Sequence, residues 1–188
     1  MESMFDHVLD DDEELLKVFK PNRTKFFTTN ILGFALFFLL FLTISVFAIV
    51  FPEEGVQISL FYLFIPIGIY LVLLGLAILF LCLYYKNVFY AYTDRRIVIR
   101  SGIFGVDYKC LDMDMIGAVN VNVSLIDKIV RKNTGTLTYG SMASPMVAEK
   151  GGSAYRFAHI VNPYETYKQI KTVIEEYKNK KENKKKDK

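Results

Sequence analysis

Between Ile31 and Phe51 the chain carries no charged residue, and between Val56 and Tyr85 it carries none again. Each run exceeds the roughly 20 residues that a helix needs to cross a hydrocarbon core of about 30 Å. Two transmembrane helices are therefore expected. In a chain of 188 residues they leave room for one further domain of ordinary size. A cleaved secretory signal would want a basic extreme N-terminus, an apolar run of about 7–15 residues and small residues at the cut. This chain opens with Asp6 and the acidic run Asp10 to Glu14, and its first apolar run is too long.

Lysines and arginines set the orientation. Lys17, Lys20, Arg23 and Lys25 precede the first run; Lys86, Arg95, Arg96 and Arg100 follow the second; the connection Pro52 to Gly55 has none. The positive-inside rule then places both termini in the cytoplasm and makes a plasma-membrane hairpin with a short outside turn. No ionisable residue sits at bilayer depth, which speaks against a proton relay or an ion pathway. Pro66 is expected to kink the second helix, and Gly68 and Gly75 to let the two helices approach.

Ahead of the helices, Leu15, Leu16 and Phe19 follow an Asp-rich start at helical spacing and end at Pro21, as in a short amphipathic helix. Arg23 and Lys25 read as head-group anchors beside Phe26 and Phe27. After Tyr85 the texture turns to β: short runs rich in Val, Ile, Tyr and Phe are broken by "TDR", "SGIFG", "RKNTG" and "PMVAEKGGS". "VNVNV", Val119 to Val123, alternates as a strand with one buried face should. From Asn162 the period is helical, with Asn162 as N-cap, Pro163 at the first helical position and Glu165 at the capping-box position. Tyr167, Ile170, Ile174 and Tyr177 form one apolar stripe. The expected organisation is a cytosolic amphipathic lead (1–25), a two-helix transmembrane hairpin (26–85), a β-rich domain (86–179) and a disordered Lys-rich tail (180–188).

Catalysis needs a constellation, and the chain has no GxSxG, HExxH, P-loop or CxxC. Cys82 lies in the second apolar run and Cys110 beyond it, so no disulfide is implied. His7 and His159 stand apart from any ligand cluster, so neither metal nor other cofactor is expected. Asp112 and Asp114 are one strand period apart and could pair their carboxylates, but with no accompanying His they read as a solvated strand end. Arg95, Arg96 and Arg100 could hold phosphate through their planar donor forks. They could equally serve topology and a general attraction to anionic lipid, at about 1 kcal/mol per basic residue.

Tyr90, Thr93, Asp94, Arg95, Arg96, Ile97, Val98, Ile99, Arg100 and Gly102 carry a "YxxTDRRIVIRxG" pattern immediately after the helix pair. With the closing helix after "VNPYE", this resembles the bacterial pleckstrin-homology-like membrane proteins of the YdbS-like group. The resemblance implies a strongly bent antiparallel sheet of seven strands, closed at one end by the C-terminal helix. Six strands are readable; the seventh would come from dividing the region around 115–130 or from 141–153. Elsewhere the fold is a binding scaffold, so it implies a binding module and no more.

The expected function is non-enzymatic: a membrane-anchored domain that presents a binding and self-assembly surface at the inner membrane face. The alternative is an anionic lipid or phosphate-binding module acting through the basic hairpin, with an enzyme a distant third. Membrane lipids are the expected partners, with a homo-oligomer or another membrane protein also open and no nucleic acid implied. At about 3.3 Å per residue, a strand leaving the membrane at Lys86 puts its turn at Asp94 well away, and the returning strand brings Arg100 back. Lys86, Arg100, Ile103 and Phe104 are thus the candidate lipid or phosphate contacts, and Arg95 and Arg96 the candidate partner or assembly surface.

Overall fold

The computed structural model describes residues 4–51, 61, 64–124, 127, 133–142 and 155–186. The chain divides into two compact units, one of Met1–Lys25 with Tyr84–Lys188 and one of Phe26–Leu83.

The Phe26–Leu83 unit holds most of α1 (Arg23–Val50) and α2 (Phe64–Asn87). Both are long and apolar enough to cross a membrane, and none of their most apolar stretch is buried. Phe37, Leu39, Leu71 and Val72 are each more than half exposed. A helix in the core of a soluble protein hides such side chains, so this exposed apolar surface suits helices that cross a membrane. Phe38 stacks on Tyr70, with 3.4 Å between ring centroids. Two expectations change here. Pro66 falls in the first turn of α2, where its missing N–H breaks no helical bond. A Cβ built on Gly68 or Gly75 meets nothing within 4 Å, so neither glycine is needed for close helix packing.

Among the described residues, the other unit contains seven strands in two antiparallel sheets. The first runs in the order β1 (Leu15–Phe19), β2 (Phe89–Thr93), β3 (Arg96–Ser101), β4 (Asp107–Asp112); the second in the order β5 (Ile116–Asn122), β6 (Thr134–Ser141), β7 (Arg156–Val161). A 3-10 turn, Met113–Met115, joins them, and α3 (Pro163–Lys186) follows. Tyr90, Tyr92, Ile97, Ile99 and Leu111 meet Leu137, Tyr139, Phe157 and Ile160 in one core. Ile170 and Ile174 of α3 enter that core, with Tyr167 and Tyr177 packed beside them, as the apolar stripe predicts. Val119 and Val121 face inward while Asn120 and Asn122 are exposed.

The missing strand comes from the opposite side of the hairpin. Leu15–Phe19 is not an amphipathic helix but β1, paired with β2 through Val18↔Ala91 and Phe19↔Tyr90, with a bulge between Leu15 and Lys17. Helical spacing yields to strand pairing because the tertiary partner exists: Phe19 packs on Tyr92 and Phe157 inside, while Leu15 and Val18 join Phe5, Phe89, Ala91 and Val98 on the sheet's outer face. Covered on both faces, β2 is buried at all five positions. The two apolar helices are thus inserted between the first and second strands of one sheet.

Two further corrections concern ends. Residues 180–186 are not a disordered tail: α3 continues to Lys186, held by Lys178 Nζ donating to the Ile116 carbonyl at 3.4 Å and by a Lys181–Asp114 ion pair. Asn162 precedes α3 as expected, but with φ of 52° its side-chain oxygen accepts from Asn133 Nδ2 at 2.8 Å rather than capping the helix. The connection 52–55, the loop 145–153 and all but the first two residues of the strand considered at 141–153 lie outside the described residues.

Candidate functional site

The β2–β3 turn carries the motif arginines. Thr93 is fully buried, and its hydroxyl accepts the backbone N–H groups of Arg95 (3.1 Å) and Arg96 (2.9 Å), which folds the turn. That hydroxyl also donates to Glu13 Oε1 at 2.5 Å. Glu13 further accepts Arg96 Nε at 3.0 Å and Nη2 at 2.7 Å, and Asp10 accepts Nη2 at 2.5 Å. Burial pushes the Glu13 carboxyl up, but the bonds from Thr93 and Arg96 outweigh it and hold its pKa below the usual range. Arg95 lies beside Asp94 (3.8 Å) and donates to the Asp12 carbonyl at 3.0 Å. The Asp94 N–H donates to the Glu14 carbonyl at 3.1 Å and the Glu14 N–H donates to Asp94 Oδ1 at 3.1 Å, which completes the seam. The acidic run therefore neutralises Arg96, which was expected to face the cytosol as a partner surface; only Arg95 keeps much of its side chain exposed, at 42%.

At the other end of the same strands is the β3–β4 turn. Gly102 has φ of 146°, and a Cβ there would come 2.0 Å from the Gly105 carbonyl oxygen, so only glycine fits. Its carbonyl accepts Asn87 Nδ2 at 3.1 Å, fastening the turn to the last residue of α2. Beyond it Phe104 is 88% exposed, with Ile103 and Val106 exposed on either side. Lys86, in the last turn of α2, is exposed. Arg100 is half buried: its guanidinium lies 5.6 Å from the Phe89 ring centre, and Nη1 reaches Met4 Sδ at 2.9 Å.

A third polar cluster was not foreseen. Lys25 is not a head-group anchor: it is 1% exposed and its Nζ lies 2.9 Å from Asp127 Oδ1 and 3.1 Å from Ser124 Oγ. Asp127 also accepts the Ser124 N–H, the Ser124 hydroxyl (2.6 Å) and the Thr134 hydroxyl (2.6 Å). Burial raises this carboxyl, yet the bonds from Ser124, Thr134 and Lys25 prevail and hold its pKa at about 2. His159 lies close by, its pKa lowered first by burial and then by the Lys25 charge. Spacing alone hides this pairing, since the partners stand on opposite sides of both apolar runs.

The carboxylates considered as a catalytic pair do not come together. Asp112 ends β4 and is exposed, whereas Asp114 belongs to the 3-10 turn and pairs with Lys181, so the two carboxylates do not share a strand face. Among the described residues, no group of three His, Cys, Asp or Glu is placed to hold a metal ion.

A family model described as bacterial PH domain matches residues 31–173, more than half of the chain, beginning after β1 and ending within α3. Neither the curated proteins nor the solved structures give a significant match.

Proposed function

We propose, for a chain that belongs to the bacterial PH domain family and carries two helices fit to cross a membrane, that its β domain is a non-catalytic binding module held at the inner face of the plasma membrane. Pairing of β1 with β2 supports a common side for both ends of the hairpin, since two strands of one sheet share a compartment. The distribution of lysine and arginine favours the cytoplasm for that side.

The observation that carries the reading is the β3–β4 turn. Phe104, Ile103 and Val106 project from a turn bonded to the end of α2. Burying one such side chain in an apolar medium gains roughly 1.5–3 kcal/mol. In this reading the turn enters the interfacial region of the bilayer, Lys86 meets the head groups, and Arg100 adds a smaller part because it is half buried. The basic β2–β3 turn is the weaker candidate for lipid phosphate, because Glu13 and Asp10 already neutralise Arg96.

The test uses the full chain in proteoliposomes with Cys82 and Cys110 replaced by serine. A nitroxide at Phe104→Cys should show high accessibility to dissolved oxygen and low accessibility to a water-soluble nickel complex. One at Asp94→Cys should show the opposite. Equal, water-like profiles at both positions would remove the bilayer contact.

A further inference from the structure

A groove of about 710 Å³ lies at the opposite end of the first sheet from the β3–β4 turn, between β1, the β2–β3 turn and the last turns of α3. Its apolar lining comes from Leu16, Val173 and Tyr177, and Leu16 is 41% exposed although it sits in the middle of a strand. Arg95, Lys180, Lys181 and Lys184 line it, with Glu14, Asp94 and Glu176. Lys181 is held by Asp114 and Arg95 lies by Asp94, but Lys180 and Lys184 are exposed with no ion pair to any described residue. They stand four positions apart, hence on one face of the helix. The same helix end adds Lys178, Lys185 and Lys186 against Glu182 alone, so the surrounding field is positive.

The geometry points to a binding groove for an extended acidic peptide segment of another polypeptide, with apolar side chains spaced between its carboxylates. Three observations select this occupant. β1 is a terminal strand of its sheet, and a terminal strand offers backbone groups to which an extended segment can add. Leu16 on β1 with Val173 and Tyr177 on α3 supplies apolar lining beside Lys180 and Lys184, a mixture that suits alternating aliphatic and carboxylate side chains better than a bare inorganic anion. On its other flank, the β2–β3 turn already binds an acidic segment: Asp10, Asp12 and Glu13 of the chain's own lead hold Arg95 and Arg96 through side chains and a backbone carbonyl. The inference is independent of the bilayer contact proposed above, which uses the other end of the sheet.

The experiment uses the full chain in nanodiscs of neutral lipid and a fluorescein-labelled octapeptide of alternating glutamate and leucine, read by anisotropy. Saturable binding is expected, weakened about tenfold or more by the double substitution Lys180→Glu with Lys184→Glu, and weakened also by Leu16→Asp. Circular dichroism confirms that each variant is folded, and Phe104→Ser, which changes the proposed bilayer contact, should bind the peptide as the parent does. A peptide with lysine in place of glutamate should not bind. The proposal is overturned if the octapeptide fails to saturate, or if the double variant binds it equally well. It is overturned too if inorganic phosphate displaces the peptide at matched concentration, which would make the groove a simple anion site. Capture of anionic vesicles through Lys180 and Lys184 in preference to the peptide would likewise reject it in favour of a second membrane.

Discussion

Two ionic ties fasten the N-terminal segment and the first turn of α1, and they differ in their access to water. At the β2–β3 turn Arg96 is 18% exposed and one of its partners, Asp10, is 64% exposed. At the start of α1, Lys25 and Asp127 are 2% and 6% exposed. In the first, water competes for Arg96 and Asp10 and screens them, although Glu13, the other partner, is buried; in the second, both charges depend on the groups around them. The Asp127 carboxylate accordingly collects bonds from Ser124 and Thr134 as well as Lys25, whereas among the described residues the Asp10 carboxylate has Arg96 as its one side-chain partner. Burial of an ion pair thus enlarges the penalty for breaking it more than its net gain.

The comparison is broken most severely by Lys25→Ala, which strands the Asp127 carboxylate. A loss of about 3–5 kcal/mol is expected, measured as a fall in thermal midpoint of the β domain by near-ultraviolet circular dichroism in detergent. Combining Lys25→Met with Asp127→Leu should recover most of that loss, because no charge is then left buried. If the double variant is as unstable as Lys25→Ala, packing rather than charge governs the site.

Acid gives the next effect. Asp127 and Glu13 have folded pKa values below their ordinary ones, so their contribution is complete above about pH 5 and is lost as pH falls towards the folded values. For Asp127 that loss is on the order of 2 kcal/mol between about pH 4 and 2. The check is whether Asp127→Asn flattens the stability curve in this window. Smaller still is Glu13→Gln, which keeps an acceptor for Thr93 but removes the charge facing Arg96; about 1–2 kcal/mol is expected from denaturant unfolding. Asp10→Ala should cost less than about 1 kcal/mol and vanish in high salt. An Asp10 effect matching that of Lys25 would erase the distinction between the two ties.

Local pattern made most of the β domain legible. Tyr90 and Tyr92 alternate with Phe89 and Ala91, the Asn-Pro pair at 162–163 announces α3, and Ile170 and Ile174 fall on the stripe that closes the core. The apolar tip at Ile103 and Phe104 was likewise readable from a glycine-flanked turn. What escaped lies where a distant partner decides. Leu15, Leu16 and Phe19 suit a helix as well as a strand, and only Ala91 and Tyr90, beyond both apolar runs, select the strand. Lys25 has the position of a membrane anchor until Asp127 is seen beside it. The Lys-rich end of α3 looks unable to bury anything, yet Lys178 and Lys181 need only a carbonyl and a carboxylate on the neighbouring turn to extend the helix. The groove combines two of these misread segments, β1 and the Lys-rich end of α3, with the β2–β3 turn, so its outline was invisible in any one stretch of sequence.

Insertion of α1 and α2 between the first two strands makes completion of the β domain a record of how the chain was threaded. β1 leaves the ribosome before either apolar helix, and β2 only after both. Among the described residues β1 pairs with β2 alone, so the strand waits unpaired until both helices have been made. A chain in which a single helix crossed a bilayer would hold the two strands in different compartments, with the outer face of β2 uncovered where Phe5 should lie and Glu13 absent from Arg96. Such a molecule presents an open sheet edge and an apolar patch, features by which aggregation and degradation select misassembled chains. Correct threading is therefore sealed by strand closure, and the seal consists of the residues that a soluble fragment beginning at Lys86 would lack.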